Sequence, residues 1–248
     1  MRDLIRSAAR GTVKVSTGKT GTGFLVTGGY VVTCAHVLDG ASSAAISSTY
    51  LGTTTAEVVE VDEANDLALL FTNLTRLPCL ELGTYRDTAV GDDVVFLGYP
   101  IGMNTLGAHR AMVSHRGEIQ FRELPRPVQT LILDGSVNKG NSGGPVLEPS
   151  TGLVVGVVNA KLGDLPGRLQ EFRRAREIVR GLGLGGGVQF GVVEFDDGQK
   201  VTSFDPAETS DTLAEVIDFL ENYTNAGIGY ALSVDYVSQL ILRVDSQK

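Results

Sequence analysis

Residues 134–145 read Asp134-Gly135-Ser136-Val137-Asn138-Lys139-Gly140-Asn141-Ser142-Gly143-Gly144-Pro145. Glycines at 140, 143 and 144 surround a single serine, Ser142. Glycine reaches backbone conformations closed to other residues, so this string can turn tightly and aim neighbouring N–H groups into one small volume. A serine hydroxyl is a weak nucleophile at neutral pH and needs both an adjacent base and donors for the oxyanion it creates. The candidate donors are the N–H groups of Gly140 and Ser142, and Gly140 has no side chain to block an approaching carbonyl. A plain structural turn uses the same residues, and taken alone the segment leaves both readings open.

Two upstream segments bear on the choice. Thr33-Cys34-Ala35-His36 follows the apolar run Tyr30-Val31-Val32, which carries His36 to a strand end. The other two histidines, His109 and His115, stand in a polar, Arg-containing stretch without a comparable motif and read as surface residues. Asp66 precedes the apolar run Leu67-Ala68-Leu69-Leu70-Phe71. A carboxylate at the edge of a buried strand needs a partner, and an imidazole Nδ1–H would suit it by fixing the tautomer and stabilising the imidazolium. By itself Asp66 reads equally as a turn acid. The order His36, Asp66, Ser142 is the chymotrypsin order, not that of subtilisin or of the α/β-hydrolases.

The surrounding pattern is β-rich. Short apolar runs at Thr12–Ser16, Phe24–Thr27, Tyr30–Cys34, Glu57–Val61, Leu67–Phe71, Asp93–Leu97, Ala111–Gln120, Val128–Leu133, Val146–Leu147 and Val154–Asn159 alternate with turn formers such as Gly28-Gly29, Glu63-Ala64-Asn65 and Gly91-Asp92. Many short strands at this spacing predict antiparallel barrels or sandwiches. After Gly163 the spacing turns helical. It predicts helices over Pro166–Gly181 and Asp211–Tyr223, strands over Val188–Phe195 and Lys200–Phe204, then a strand Ile228–Val234 and a last helix Asp235–Val244 capped by Ser233.

Composition sets the outer limits. The 248 residues include 31 glycines and no tryptophan, with 42% hydrophobic and 20% charged residues, enough to bury a core. A net charge of −8 disfavours binding to phosphate backbones. No run approaches the ~20 apolar residues of a membrane span. The first ten residues carry Arg2, Asp3, Arg6 and Arg10 and show no apolar signal region, so a cytoplasmic location is expected. Two cysteines, Cys34 and Cys79, read as thiols, with a single bridge between them left open. No metal-ligand spacing and no nucleotide loop is visible, and the chemistry at Ser142 needs no cofactor.

Taken together these segments resemble the trypsin/chymotrypsin-fold serine proteases, and most of all the HtrA/Deg branch. Gly21-Thr22-Gly23-Phe24 resembles its G-S-G-F strand, Tyr30 to Val37 its Y-I-L-T-N-A-H-V, and Asp66 to Leu70 its D-L-A-L-L. Gly98-Tyr99-Pro100-Ile101-Gly102 is similar to its G-x-P-x-G loop, residues 134–142 to its D-A-A-I-N-x-G-N-S, and Gly227 to Ser233 to its G-I-G-F-A-I-P. The resemblance implies an all-β fold of two six-stranded antiparallel barrels, with the triad between them and a C-terminal helix. It divides the single protease domain into an N-terminal barrel (about 1–90), a C-terminal barrel with the terminal helix (about 91–163 plus 226–248) and an α/β insertion (about 164–225) near the substrate cleft.

The resemblance also implies a function. The chain reads as a serine endopeptidase acting on polypeptide. Ser142 would be the nucleophile, His36 the base, Asp66 its orienting group, and the Gly140 and Ser142 N–H groups the oxyanion hole. Ser136 would floor the specificity pocket, with Asn159-Ala160-Lys161 along its wall. A small neutral floor favours a small or medium neutral P1 side chain, because a cation buried there would lack a counter-charge. There is no Ile-Val-Gly-Gly start, and Asn141 stands where an Asp would receive a freed N-terminus, which argues against activation by cleavage. No PDZ-like segment follows. Cys34 beside His36 reads as a small buried residue rather than a second nucleophile. Residues 164–187 hold five arginines and 194–221 nine acids, the pattern of solvated helix faces, of mutual pairing of the two helices, or of a docking surface for a regulatory partner. Gly183 to Gly187 reads as a hinge. The competing functions are a latent or non-catalytic binding protein on the same fold, acting through its charged insertion, and more distantly an esterase.

Overall fold

A computed structural model describes residues 1–74, 76–100, 102–121, 124–160 and 227–247, which belong to one unit formed by Met1–Gly163 and Asn225–Lys248. The helices, strands and hinge expected between residues 164 and 225, and Lys161, lie outside the described residues.

The first half holds a helix α1 (Arg2–Gly11) and six strands: β1 (Thr12–Ser16), β2 (Thr20–Val26), β3 (Tyr30–Thr33), β4 (Ser43–Ser48), β5 (Gly52–Asp62) and β6 (Leu67–Phe71). A short helix α2 (Ala35–Leu38) separates β3 from β4. The strands close in the order β1-β2-β3-β6-β5-β4. The second half adds β7 (Asp93–Gly98), β8 (Gly107–Ile119), β9 (Val128–Asp134), β10 (Pro145–Leu147), β11 (Val154–Val158) and β12 (Ile228–Ser233), closed as β10-β11-β12-β9-β8-β7. Two antiparallel six-stranded barrels are thus what the structure shows. In the second, β12 pairs with β11 through Val158↔Ala231 and Val157↔Leu232.

The strands form where β-branched and aromatic residues alternate with turn formers. Inside the first barrel the register places Val13, Val15, Leu25, Val31, Ile46 and Leu70 on one face, all fully buried, and inside the second stand Phe96, Leu131, Leu133, Val146 and Val155. A strand and two helices, α1 and the short α2, escaped the sequence pattern. The strand Ser43–Ser48 is rich in Ser and Ala, with weak intrinsic β preference, yet it pairs with both β1 and β5. Closing the barrel removes two open edges, and that tertiary gain overrides local propensity. Helix α1 was not expected, and it packs through Ala8, whose carbonyl accepts from Thr12 Oγ1 at 2.9 Å.

The terminal helix α3 (Asp235–Asp245) buries Val237, Leu240 and Val244, one helical face. Its N-cap is Val234 rather than Ser233, although Ser233 Oγ still accepts from the Asp235 N–H at 3.2 Å. The helix reaches the first barrel, where Tyr30 OH donates to Asp245 Oδ1 at 2.7 Å. His109 departs from its surface reading. Its ring stacks on Phe96 at 4.8 Å between centroids, its Nε2 is buried without a partner, and burial pushes its pKa down. His115 is exposed as expected.

The turn after β10 is held by Glu148. Its carboxylate accepts from the Ser150 N–H and Oγ, both at 2.8 Å, and from the Thr151 N–H and Oγ1 at 2.7 and 2.5 Å. The Thr151 hydroxyl leads the interactions that bring its pKa down to about 2. The depressed value means stability that is fully present above the unfolded carboxyl pKa of ~4.3 and lost as pH falls through about 2. Glu148→Gln is therefore expected to lower stability in urea unfolding at pH 7, with the gap from the parent shrinking as pH falls from 4 to 2.

Candidate active site

Asp66 is built into the turn Glu63-Ala64-Asn65-Asp66 between β5 and β6 with φ +49, a left-handed conformation costing a non-glycine residue roughly 1–2 kcal/mol. Its surroundings explain why it stays there. The Asp66 carbonyl accepts the Ala35 N–H at 3.1 Å and its Oδ1 accepts the His36 N–H at 2.9 Å, so Asp66 holds the first turn of α2. Asp66 Oδ2 faces His36 Nδ1 at 2.6 Å and accepts from Asn159 Nδ2 at 2.7 Å. Burial raises the carboxyl pKa, but the hydrogen bonds and charge of His36 and the Asn159 amide outweigh it, and the net shift is downward. An ionised Asp66 fixes the proton on Nδ1 and leaves Nε2 with its lone pair, the tautomer a general base requires.

A second layer grips the same turn. Asp62, at the end of β5, accepts from the Asn65 N–H at 3.1 Å, from Asn65 Nδ2 at 2.9 Å and from Arg243 Nη2 of α3 at 2.5 Å. Burial would raise its pKa, and the bonds from Asn65 and Arg243 bring it below the ordinary carboxylate value. Arg126, from the β8–β9 connection, reaches Asn65 Oδ1 at 3.3 Å. The turn bearing Asp66 is thus held by the terminal helix and by the second barrel. Asp62, Arg126 and Arg243 were not singled out in the sequence, and Asn65 was read only as a turn former beside Asp66. The acid–turn–acid spacing of Asp62 and Asp66 was the available signal, and its partners lie too far along the chain to be seen.

Ser142 sits in the turn before β10, almost fully buried. Gly140 at φ +92 and Gly143 at φ +86 need the conformational freedom of glycine, and a Cβ on Gly143 would also overlap the Thr22 carbonyl. The turn is tied by Asn141 N–H to Asn138 O at 3.0 Å, Gly144 N–H to Asn141 O at 2.9 Å and Gly143 N–H to Val158 O at 2.8 Å. Neither the Gly140 nor the Ser142 N–H is engaged among the described residues, which leaves both as donors. Beside them the fully buried Asn141 amide has no partner at Nδ2 or Oδ1 and lies against Gly98.

Thr22 of β2 clasps this turn across the barrels. Its N–H donates to Ser142 O at 2.8 Å, its Oγ1 donates to Gly140 O at 2.7 Å, and the same oxygen accepts the Tyr99 N–H at 2.9 Å. The sequence marked Thr22 as part of a motif without revealing this role.

Asn159 and Ala160 then join the two halves of the site. Asn159 sends its amide to Asp66, and the next residue, Ala160, donates its N–H to Ser142 Oγ at 3.1 Å. Two consecutive residues therefore touch the carboxylate and the hydroxyl, which brings Asp66 and Ser142 to one place. The imidazole–carboxylate pair is formed, whereas no hydrogen bond joins His36 to Ser142 among the described residues. Ser136 lies exposed between β9 and the Ser142 turn, next to Val137, which packs against Gly229. Neither cysteine is in a disulfide: Cys34 is buried and Cys79 exposed.

Comparison with known proteins agrees with this architecture. The family model of the trypsin-like peptidase domain matches residues 21–157. The chain is 33% identical over 151 residues to the putative serine protease HhoA of Synechocystis sp., covering 59% of this chain and 38% of that relative. It is 35% identical over 140 residues to a probable periplasmic serine endoprotease, DegP-like, of Halomonas elongata, covering 55% of this chain and 28% of that relative. It therefore spans well under half the length of these curated relatives. Among solved structures, the HtrA-type protease AlgW with tripeptide superimposes with a TM-score of 0.67 at 19% identity, over 98% of this chain and 62% of that one. At that identity the likeness shows the fold.

The clasp by Thr22 sets a measurable expectation. Thr22→Val keeps the side-chain volume but strands the buried Tyr99 N–H and removes the donor to Gly140 O, at a cost of about 1–3 kcal/mol. Denaturant unfolding should show a lower midpoint for Thr22→Val, with Thr22→Ser close to the parent.

Proposed function

The chain belongs to the trypsin-like peptidase domain family, and from that premise we propose that it is a serine endopeptidase cleaving polypeptides through an acyl-enzyme. The observation that carries the proposal is the convergence of His36 and Asn159 on Asp66, with Ala160, the next residue, on Ser142.

In the proposed reaction Ser142 Oγ attacks the scissile carbonyl and His36 Nε2 takes its proton. The ionised Asp66 stabilises the resulting imidazolium through Nδ1. The unengaged N–H groups of Gly140 and Ser142 receive the oxyanion, and their turn is already locked, so little reorganisation opposes the step. His36 then protonates the leaving amine, and water repeats the sequence on the acyl-enzyme. Ser142 Oγ must turn from the Ala160 N–H toward His36 as substrate enters. Such hydrogen bonds commonly tighten only in the substrate complex.

Specificity belongs to the same proposal. Ser136, as a small neutral floor, gives a cationic P1 group no partner, so a small or medium neutral P1 residue is preferred, with residues 159–161 offering backbone to the peptide. A cytoplasmic setting is also proposed, supported by two thiols left unbridged. The charged residues 164–225 are proposed as the place where a regulatory protein docks.

The Ala160–Ser142 bond favours a second reading, a latent or non-catalytic binding protein on the protease fold. A fluorophosphonate probe separates the two. Labelling of the parent at Ser142, and a drop of about 10⁴–10⁶-fold in kcat for Ser142→Ala, is the result expected of the peptidase. No labelling and equal cleavage by both proteins would leave the binding role. Peptide-library profiling should show neutral P1 residues, and a profile dominated by Arg or Lys would remove Ser136 from the floor of the pocket.

A further inference from the structure

Cys34 takes no part in the proposed reaction, yet the fold puts its thiol beside the residues that do. It is fully buried at the N-cap of α2 and its Sγ donates to the Val158 carbonyl at 3.4 Å. Cys34 Sγ, a ring nitrogen of His36 and a carboxylate oxygen of Asp66 all lie within 4.8 Å of one another. Cys34 and His36 are two residues apart, but Asp66 is 30 residues from His36, so the sequence shows no metal-ligand spacing and the fold assembles the cluster.

Thiolate, imidazole and carboxylate are the donors that zinc selects, and three protein ligands with an open fourth position make a common zinc arrangement. Metal–ligand bonds of about 2.0–2.3 Å at tetrahedral angles hold the donors roughly 3.3–3.6 Å apart. The His36–Asp66 contact at 2.6 Å would open by less than ~1 Å, and a pair at the 4.8 Å limit would close by just over ~1 Å. The His36 side chain, 19% exposed against 5% for Asp66, gives the ion its way in.

We propose that Cys34 Sγ, His36 Nδ1 and Asp66 Oδ2 form an inhibitory site for a borderline-soft divalent cation of the zinc class. The Cys34 S–H proton leaves to solvent as the metal–sulfur bond forms. The proton on His36 Nδ1 gives way to the metal, and the ring then carries its proton on Nε2. Thiolate, carboxylate and dication sum to zero charge, where Asp66 alone had left one negative charge. With a proton on Nε2, His36 has no lone pair to offer Ser142, and the site competes with catalysis by its chemistry rather than by blocking the cleft. Inhibition rests on the peptidase reading, whereas metal binding does not.

The test measures binding first, on the full chain carrying Ser142→Ala, with Zn²⁺ by titration calorimetry and with Co²⁺ by absorption. The expected result is one saturable ion per chain, release of protons, and a thiolate-to-cobalt charge-transfer band that persists when Cys79→Ser is added. Cys34→Ser, which keeps a donor for the Val158 carbonyl, should lose the band. Loss of even an outer partner of a metal ligand weakens binding ~10–100-fold, so loss of the sulfur itself should cost at least tenfold. Cys34→Ala serves as the second variant, and the Co²⁺ band on the Cys34-containing protein needs neither. In the wild type, Zn²⁺ should inhibit cleavage reversibly by a chelator, and Cys34→Ser should cleave without that sensitivity. Absence of saturable binding, a cobalt spectrum without the thiolate band, or equal zinc affinity in Cys34→Ser would overturn the site. Binding as expected in a protein that cleaves nothing would retain the site and reject the peptidase reading.

Discussion

A single buried carboxylate organises this molecule. Asp66 sits in a left-handed backbone conformation and loses most of its hydration, two costs that together amount to several kcal/mol. It is retained because the His36 N–H and Nδ1 and the Asn159 amide all converge on its two oxygens. Hydrogen bonds to a charged acceptor contribute about 1.5–3 kcal/mol each, enough to offset the strain and much of the desolvation. The same bonds set the direction of helix α2, the tautomer of His36 and the position of Asn159, the residue just past β11.

The nucleophile side depends on a different kind of constraint. The turn bearing Ser142 is held through its backbone: Thr22 of the first barrel bonds the Ser142 and Gly140 carbonyls, and Val158 of the second accepts the Gly143 N–H. Glycines at 140 and 143 make those contacts sterically open, since a side chain at Gly143 would occupy the Thr22 carbonyl. One half of the site is therefore fixed by charge and the other by backbone approach. They meet at Asn159 and Ala160, and in this conformation Ser142 Oγ bonds to Ala160 rather than to His36. The last helix contributes to the charged half through Arg243 and Asp62, which gives the C-terminus a part in an arrangement built mostly by strands.

Much of this was legible in the residues themselves. Thr12–Ser16 and Leu67–Phe71 form strands with the expected bounds because β-branched and aliphatic residues there agree with their neighbours' turns. Ser43–Ser48 was not legible, since its Ser and Ala residues have little local preference and it is a strand only because β1 and β5 flank it. His109 read as a surface residue because its neighbours are polar, but β8 alternates, and its ring faces Phe96. The resemblance gave Asn159 a backbone role at a pocket wall and said nothing of its amide, which the fold directs to Asp66.

The order of residue types along the chain by itself determined that a serine between glycines, a histidine at a strand end and an aspartate before a buried strand would coexist on a two-barrel frame. Local periodicity and turn chemistry are enough for the strands and the residues at their ends, because each depends on residues a few positions apart, while the two-barrel frame came from the motifs' resemblance to the trypsin/chymotrypsin-fold proteases. Tertiary structure alone decided who bonds to whom: Asn159 to Asp66 across 93 residues, Thr22 to Gly140 across 118, Arg243 to Asp62 across 181, and Cys34 beside His36 and Asp66. Those pairings follow from barrel closure and from the face each side chain takes on its strand, and neither leaves a trace in a short stretch of sequence.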